Sequence, residues 1–482
     1  VEERLARLAP DQRAAATAPP GPVLCVAPAG SGKTTTLVAR ICWLVASGAS
    51  PDRITAVTFN KRAADELGER LAAALAPLEV PESQASRVRT FHALGREILV
   101  DAGVSVANLV DRADVLRALN RGRRVSPANL RRFDDGFSRL KLDQGLSADA
   151  AADRLRTPDL PDADLLRAFV AYERWLAEHH ALDFDDLVRR ALFALRDNGG
   201  LLDRWRRHCT TLLVDEVQDV DRSQLDLAVL LAGERRDVFL VGDDDQTIYA
   251  WRLADVRRVL DLAASLPGLR RVDLVTNYRC PQPVVSRAVR LIGANTERFA
   301  KTIVARPAAS GRLLLCPDPG DELARARRLL DEWLAAEDGV HAVLARTNAE
   351  LAPYAAVALE RGIAYRAAED GLLLDDSAID TLLGELDESR PPLATLAHHA
   401  GSVAATLLAW SLPYRTVGDL RQAIERARAL RQELHRDDAQ LVLATAHGTK
   451  GLEFDHVAVI GMDENVFPSR RTIEDADDPA RA

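Results

Sequence analysis

Short, continuous apolar runs separated by stretches of helical periodicity dominate the first part of the chain. Val23-Leu24-Cys25-Val26, Ile54-Thr55-Ala56-Val57-Thr58-Phe59, Thr211-Leu212-Leu213-Val214 and Val238-Phe239-Leu240-Val241 are each bounded by turns. Strands buried on both faces have this pattern, and the helical stretches between them supply the crossovers of a parallel sheet. From about Asp101 to Leu182 the strand signal gives way to a helical one, which reads as an insertion. A second set of runs follows: Leu313-Leu314-Leu315-Cys316, Ala342-Val343-Leu344-Ala345, Leu441-Val442-Leu443-Ala444 and Val457-Ala458-Val459-Ile460. It is interrupted from Arg366 to about Asp437 by helical sequence containing Pro391-Pro392. The pattern predicts an α/β protein with two parallel-sheet domains, each broken by a helical insertion. The expected boundaries are 1–102 with 183–276 for the first domain and 103–182 for its insertion. For the second they are 277–366 with 438–482, and 367–437 for a smaller insertion.

Composition narrows the class. With 482 residues, 47% hydrophobic and 28% charged, the chain has a globular balance and room for about three domains. Its 5 cysteines are odd in number and scattered, without a Cys-x-x-Cys pair, so a disulfide scaffold and a structural zinc site both lack support. No apolar run is long enough to span a bilayer, and Val1-Glu2-Glu3-Arg4 does not read as a signal peptide; the expectation is a cytoplasmic, nucleoid-associated protein with no membrane partner. A formal net charge of -9 argues against a charge-driven nucleic-acid binder but leaves room for a local basic groove. Arg121, Arg123, Arg124, Arg131 and Arg132, followed by Arg139 and Lys141, cluster in the first insertion. They read equally as phosphate contacts or as a solvated helical face.

Ala27-Pro28-Ala29-Gly30-Ser31-Gly32-Lys33-Thr34 follows the first strand and opens a helix. Glycines let backbone amides curl around phosphate oxygens, and the helix N-terminus adds unbonded N–H groups and a favourable dipole. Ala29, Gly30, Ser31, Gly32 and Thr35 would line the phosphates, Lys33 would reach the β- and γ-phosphates, and the Thr34 hydroxyl would ligate Mg²⁺. The strict pattern has Gly where Ala27 stands. After the strand Leu212-Leu213-Val214, Asp215 would hold Mg²⁺ through water and Glu216 would activate the attacking water. A glycine-rich turn or an acidic strand end is commonplace alone; together they indicate binding or hydrolysis of a nucleoside triphosphate.

The motifs that follow are more specific. Asp215-Glu216-Val217-Gln218-Asp219 precedes Val241-Gly242-Asp243-Asp244-Asp245-Gln246-Thr247-Ile248-Tyr249-Ala250-Trp251-Arg252, then Asn277-Tyr278-Arg279, then Thr445-Ala446-His447-Gly448-Thr449-Lys450-Gly451-Leu452-Glu453-Phe454. This ordered set resembles the UvrD/Rep/PcrA family of superfamily 1 DNA helicases. Leu8-Ala9-Pro10-Asp11-Gln12 resembles that family's Q motif, Thr58-Phe59 and Thr90-Phe91-His92 its strand-binding motifs, and Ala294-Asn295, Arg298 and Lys301 continue the pattern. The resemblance runs from about Leu5 to Pro468, the two insertions excepted. It implies two RecA-like domains and an ATP-dependent, Mg²⁺-requiring, DNA-stimulated translocase or helicase.

The resemblance also implies roles. Gln12 would read adenine and Tyr278 would stack on it. Gln246 would sense the γ-phosphate, Arg279 would act as an arginine finger from the second domain, and Gly451 and Glu453 would help hold the nucleotide from that domain. Phe59, Thr90, His92, Tyr249, Trp251, Arg252 and His447 would lie along single-stranded DNA, because aromatic faces bind any base without reading sequence. Asp183-Phe184-Asp185-Asp186 resembles a recurring family segment and is read as a helix cap at the return to the first domain. Further implications are 3′-to-5′ movement, substrates with single-strand/duplex junctions, a role in DNA repair or replication restart, and repair or nuclease partner proteins. Two other readings stay open: the motor subunit of a helicase–nuclease complex, and an ATP-gated DNA clamp with weak turnover.

Departures from the family pattern are specific. Thr58-Phe59-Asn60-Lys61-Arg62-Ala63-Ala64 differs from the common Thr-Phe-Thr-Asn-Lys-Ala-Ala form, and the interval from Arg366 to Gln440 is short for the family's second accessory domain. Nothing between Phe467 and Ala482 matches the arginine-bearing motif VI, which the resemblance places further on.

Overall fold

The strands of the first sheet are β1 (Val23–Val26), β2 (Ile54–Thr58), β3 (Arg87–Thr90), β4 (Thr211–Val214), β5 (Val238–Gly242) and β6 (Arg270–Asp273), in the order β3-β2-β4-β5-β1-β6. Every neighbouring pair is parallel. The computed structural model describes residues 1–482 except 79, 81–85, 121–125, 158–161, 235, 249–252, 318–319, 337, 371, 373, 375–376, 400–401, 412–413, 465, 471–472 and 474–482.

Alternation along the buried strands feeds two cores. Leu24, Val26, Val57, Leu212, Val214 and Leu240 face one side, where they meet Phe91, Ile98, Leu192 and Trp205. Val23, Cys25, Ile54, Ala56, Leu213, Phe239 and Val241 face the other, against Leu37, Ile41, Leu67 and Leu71. Successive side chains of a strand point to opposite faces, so a sheet covered on both sides buries both sets; the inner strands are apolar apart from the buried Thr55, Thr58 and Thr211. Each such Leu, Ile or Phe contributes about 1.5–3 kcal/mol by leaving water. The edge strands β3 and β6 carry Arg87, Arg89, Arg270 and Arg271, charges that suit an edge and hide it from a search for apolar runs.

The chain forms two compact units, Val1–Leu313 and Leu314–Ala482. The division thus falls later than the boundary expected after Thr276. A two-stranded parallel sheet, β7 (Thr276–Asn277) with β8 (Val304–Ala305), lies wholly within the first unit. Backbone bonds from Tyr278 N to Gly30 O (2.8 Å) and from Arg306 N to Asn277 O (2.9 Å) tie this segment there.

Helices Arg112–Leu119, Pro127–Ser138, Ala148–Arg154 and Ala163–Glu178, with the π-helix Arg139–Asp143, occupy the span read as the first insertion. They pack their own core around Phe137, Phe169, Tyr172 and Leu176. Entry and exit lie side by side, since Val110 N donates to Leu182 O and Leu182 N to Asn108 O, both at 2.9 Å. A buried ionic network sits at this junction. The π-helix turns Lys141 inward, fully buried, to Glu173 and Asp183 at 2.9 Å and Asp186 at 3.0 Å. Arg112 reaches Asp183 at 2.8 Å and Asp185 at 2.7 Å, and Tyr172 donates its hydroxyl to Asp183 at 2.9 Å. Burial alone would lower the Lys141 pKa, but the three carboxylates outweigh it and raise it. Burial likewise opposes ionisation of Asp183, and Lys141 and Arg112 overcome it and hold its carboxyl well below the usual range. Asp183 also caps the helix Phe184–Asp197, accepting from Asp186 N at 2.9 Å, in keeping with the cap read from the sequence. Lys141 is therefore no part of a basic surface, and Arg132 pairs with Asp164 at 2.8 Å. Arg121, Arg123 and Arg124 lie outside the described residues.

The second unit holds a parallel sheet of β9 (His341–Ala345), β10 (Tyr365–Ala367), β11 (Leu441–Thr445) and β12 (His456–Val459), in the order β10-β11-β9-β12. Helices Ser377–Glu385, Pro392–Leu396, Ser402–Ser411 and Val417–Leu434 fill the interval read as the second insertion. The strand expected at Leu313-Leu314-Leu315-Cys316 is not formed; Leu314 and Leu315 are 62% and 86% exposed. An apolar run becomes a strand only where a neighbour takes its N–H and C=O groups, and this run pairs with none of the described strands. Among the described residues no helix is long and apolar enough to cross a membrane.

Two stability outcomes follow from the buried charges. Lys141→Ala leaves Glu173, Asp183 and Asp186 without their central cation and is expected to cost about 3–5 kcal/mol in denaturant unfolding. Asp221, the buried cap of the helix Arg222–Ala232, is raised from 3.8 to about 7, chiefly by burial. Unfolding releases its proton between those values, so its contribution to stability declines as pH rises through that window. Asp221→Asn keeps an acceptor for the Gln224 N–H; its melting temperature should exceed that of the parent at pH 8 and approach it near pH 4.

Candidate nucleotide and nucleic-acid site

Parallel strands deliver their C-terminal ends to one edge, and the loops that leave there carry most of the residues singled out in the first unit. The loop after β1 leads into the helix Lys33–Ala46, with Gly30 at φ 68 and Gly32 at φ 84, conformations that glycine adopts without strain. Space enforces both glycines: a Cβ on Gly32 would lie 2.6 Å from Gln12 Nε2, and one on Gly30 would lie 2.8 Å from both Asn277 Oδ1 and Arg279 Cβ. Three successive carbonyls of the loop are taken from outside. Asn277 Nδ2 donates to Ala29 O, Tyr278 N to Gly30 O and Gln12 Nε2 to Ser31 O, each at 2.8 Å. The first N–H groups of the following helix have no partner within it, the arrangement that receives anionic oxygens. The Ser31 hydroxyl is buried without a hydrogen-bond partner, as fits a cradle shaped for polar cargo. Thr34 is half-buried and Thr35 exposed at the start of this helix.

Strands β1 and β4 flank β5, so residues far apart in sequence converge. Lys33 Nζ lies 2.9 Å from Glu216 Oε2. Burial would lower the Lys33 pKa, but Glu216, Asp215 and Asp243 together raise it. Asp215 is raised to about 7, first by burial and then by the neighbouring Glu216 charge. Glu216 itself sits at φ 52, a left-handed conformation uncommon for a non-glycine residue. Gln218, 1% exposed, binds both acidic motifs: its Nε2 donates to Glu216 Oε2 at 2.5 Å and its Oε1 accepts from Asp243 N at 3.0 Å.

Asp243 is the next relay. Its Oδ2 accepts from Ala29 N at 3.1 Å and from Gln246 Nε2 at 2.7 Å. Asp243, Asp244 and Asp245 converge on Lys301 Nζ, at 2.6 Å for Asp243 and 2.9 Å for Asp245, and Arg298 forms a two-pronged pair with Asp245 at 2.7 and 2.8 Å. Lys301 is raised because these carboxylates overcome its burial. The segment holding Arg298 and Lys301 is thus fixed to the loop after β5.

Similarity to known proteins follows this geometry. The UvrD/REP helicase N-terminal domain matches residues 8–267, and the UvrD-like helicase C-terminal domain matches residues 414–478. The chain belongs to the UvrD/REP helicase family. It is 32% identical over 339 residues to the ATP-dependent DNA helicase Rep of Escherichia coli, covering 68% of this chain and 49% of that protein. It is 29% identical over 292 residues to the ATP-dependent DNA helicase PcrA of Staphylococcus aureus, covering 58% and 39%. The putative ATP-dependent DNA helicase YjcD of Bacillus subtilis is 31% identical over 307 residues, covering 61% and 39%. The chain thus spans about half the length, or less, of these curated relatives.

Other residues expected from the UvrD/REP pattern are distributed as follows. Gln12 lies on the rim of the phosphate loop, its Oε1 accepting from Ala9 N at 3.2 Å. Tyr278 is half-buried and Arg279 exposed; both belong to the same compact unit as the phosphate loop, not to the unit of the second sheet. Phe59 is half-buried at the end of β2. The Thr90 hydroxyl is engaged as a helix cap, accepting from Ala93 N at 3.1 Å. His92 stacks on Phe184, ring centroids 3.9 Å apart and planes 19° from parallel. Phe184, 56% exposed, was read from the sequence only as part of a helix cap; an aromatic kept in water on a fixed helix start was the available signal. Tyr249, Trp251 and Arg252 lie outside the described residues. In the second unit His447, Gly451 and Glu453 follow β11. Arg346 donates to His447 Nδ1 at 3.2 Å, and burial followed by this charge lowers the His447 pKa.

Because Lys33 is held by Glu216, nucleotide has to displace that pair. Lys33→Ala should reduce ATP turnover by on the order of 10²-fold or more with little change in thermal unfolding. Glu216→Gln should slow hydrolysis while nucleotide binds as tightly as before or tighter, because the competing charge on Lys33 is gone. Fluorescent-nucleotide binding beside steady-state turnover separates the two; loss of binding in Glu216→Gln would contradict the base role expected from the sequence.

Proposed function

We propose that this chain is the ATP-driven motor of a superfamily 1 translocase or helicase that moves 3′ to 5′ on single-stranded DNA and acts at single-strand/duplex junctions in DNA repair or replication restart. The contact between Lys33 and Glu216 carries the reading, since it joins a phosphate-cradling loop to a strand-end carboxylate. The γ-phosphate would draw Lys33 from Glu216, and the released carboxylate would accept a proton from the attacking water. Thr34 and Asp215 would hold Mg²⁺, which when bound neutralises charge across the β- and γ-phosphates. Arg279 would supply positive charge to the transferring phosphoryl group, and Tyr278 and Gln12 would address the base.

The path from phosphate to DNA runs through Asp243. One carboxylate oxygen, Asp243 Oδ2, accepts from both Ala29 N of the phosphate loop and Gln246 Nε2, so a shift in the loop would be felt at Gln246. Phe59 and the stacked His92–Phe184 pair stand at the ends of β2 and β3, where aromatic faces offer sequence-blind footholds.

ATP hydrolysis by the full chain should rise on addition of single-stranded DNA, and displacement from strands blocked at either end should report 3′-to-5′ movement. Turnover indifferent to DNA would refute the motor reading. Phe184→Ala and His92→Ala should each weaken single-strand binding by about 1–3 kcal/mol, equally for mixed and homopolymer strands. Fluorescence anisotropy measures this; unchanged affinity would return the pair to a packing role.

A further inference from the structure

Asn277 is 6% exposed and uses both ends of its side chain. Nδ2 donates to Ala29 O at 2.8 Å, across 248 residues of sequence. Oδ1 accepts from Arg279 N at 2.9 Å and Cys280 N at 2.8 Å. Its backbone is fixed as well, through pairing with Ala305 in the small sheet and through Arg306 N at 2.9 Å. An asparagine that only shaped its own turn would need the acceptor alone. Here the donor arm grips the phosphate loop, while the acceptor arm sets the turn from which Arg279 departs. Gly30 shows how tight the fit is: a Cβ there would meet Asn277 Oδ1 and Arg279 Cβ, both at 2.8 Å.

We propose that Asn277 is a positioning residue for phosphoryl transfer, a bracket that holds the Arg279 turn in fixed register with the phosphate loop. The inference rests on the hydrolysis reading above and assigns Asn277 no contact with nucleotide. The two arms have separable consequences. The donor arm occupies the Ala29 carbonyl and so holds the phosphate loop in shape, which favours nucleotide binding. The acceptor arm orients Arg279, which favours turnover, because a misplacement of about 1 Å in a catalytic constellation costs about 10²-fold in rate.

The test compares Asn277→Ala, Asn277→Asp, Arg279→Ala and the double variant Asn277→Ala/Arg279→Ala in the full chain. Steady-state ATPase at saturating single-stranded DNA, fluorescent-ADP binding and thermal unfolding are measured for each. Asn277→Ala should lower kcat by about 10²-fold. Asn277→Asp retains the acceptor and loses the donor, so it should weaken nucleotide binding by about tenfold and lower kcat less than the alanine variant does. Adding Arg279→Ala to Asn277→Ala should cost little more, because an arginine already out of place has little left to lose. A folded Asn277→Ala with the parent kcat, or losses that multiply in the double variant, would overturn the proposal. If Asn277→Ala does not fold, Asn277→Asp decides: unchanged nucleotide affinity overturns the proposal, and weakened affinity with most of kcat retained upholds it. A parent chain without turnover would refute the hydrolysis reading and this inference with it, whereas a turning-over parent indifferent to Asn277 would refute this inference alone.

Discussion

Six strands that all run the same way place six exits on one edge of the first sheet, and the chemistry of the first unit depends on that constraint. Strands β1, β4 and β5 are buried on both faces and, Thr211 apart, filled by apolar side chains and Gly242, so the charged groups appear where the strands stop. The strand order then decides which exits are neighbours. With β5 between β1 and β4, the loops bearing Lys33, Glu216 and Asp243 face one another, and Gln218 fits between the two acidic loops. Gly242 belongs to the same arrangement: a Cβ there would lie 2.3 Å from Gln218 Oε1.

Charge is handled differently in the two polar clusters of the first unit. Around Lys141, buried cations and carboxylates pair with one another, which ties the segment 103–182 to the helix Phe184–Asp197 but is a costly way to gain stability. Around Lys33 the balance is left open to exchange. Two adjacent carboxylates, one cation and a backbone with a left-handed residue can rearrange once a triphosphate adds its own charge. The first cluster lies at a junction of helices and the second at the strand ends, a distinction that neither residue type nor burial makes alone.

The phosphate loop is also held by its carbonyls. Gln12, Asn277 and the Tyr278 N–H each take one, so the loop is shaped from three separate stretches of chain before any nucleotide arrives. This links the opening helix and the segment after β6 to the cradle. It also accounts for the grouping of Tyr278 and Arg279 with the first compact unit, although their place in the sequence suggested the second.

The sequence by itself determined the α/β class, the buried strands β1, β2, β4 and β5 and the motif set, because long apolar runs and the glycine–lysine loop are local signals. Edge strands escaped it: Arg87-Val88-Arg89-Thr90 and Arg270-Arg271-Val272-Asp273 carry charges that only an edge tolerates, and the edge is a property of the assembled sheet. Leu313–Cys316 failed in the opposite sense, apolar enough for a strand but without one to pair with. The partners of Lys33, the stacking of His92 on Phe184 and the two-armed grip of Asn277 were decided by tertiary structure alone. Apart from the local acceptor arm of Asn277, each joins residues distant in the chain, and hydrogen bonds and ring contacts act only over a few ångströms, so their existence depends on which loops the strand order brings together.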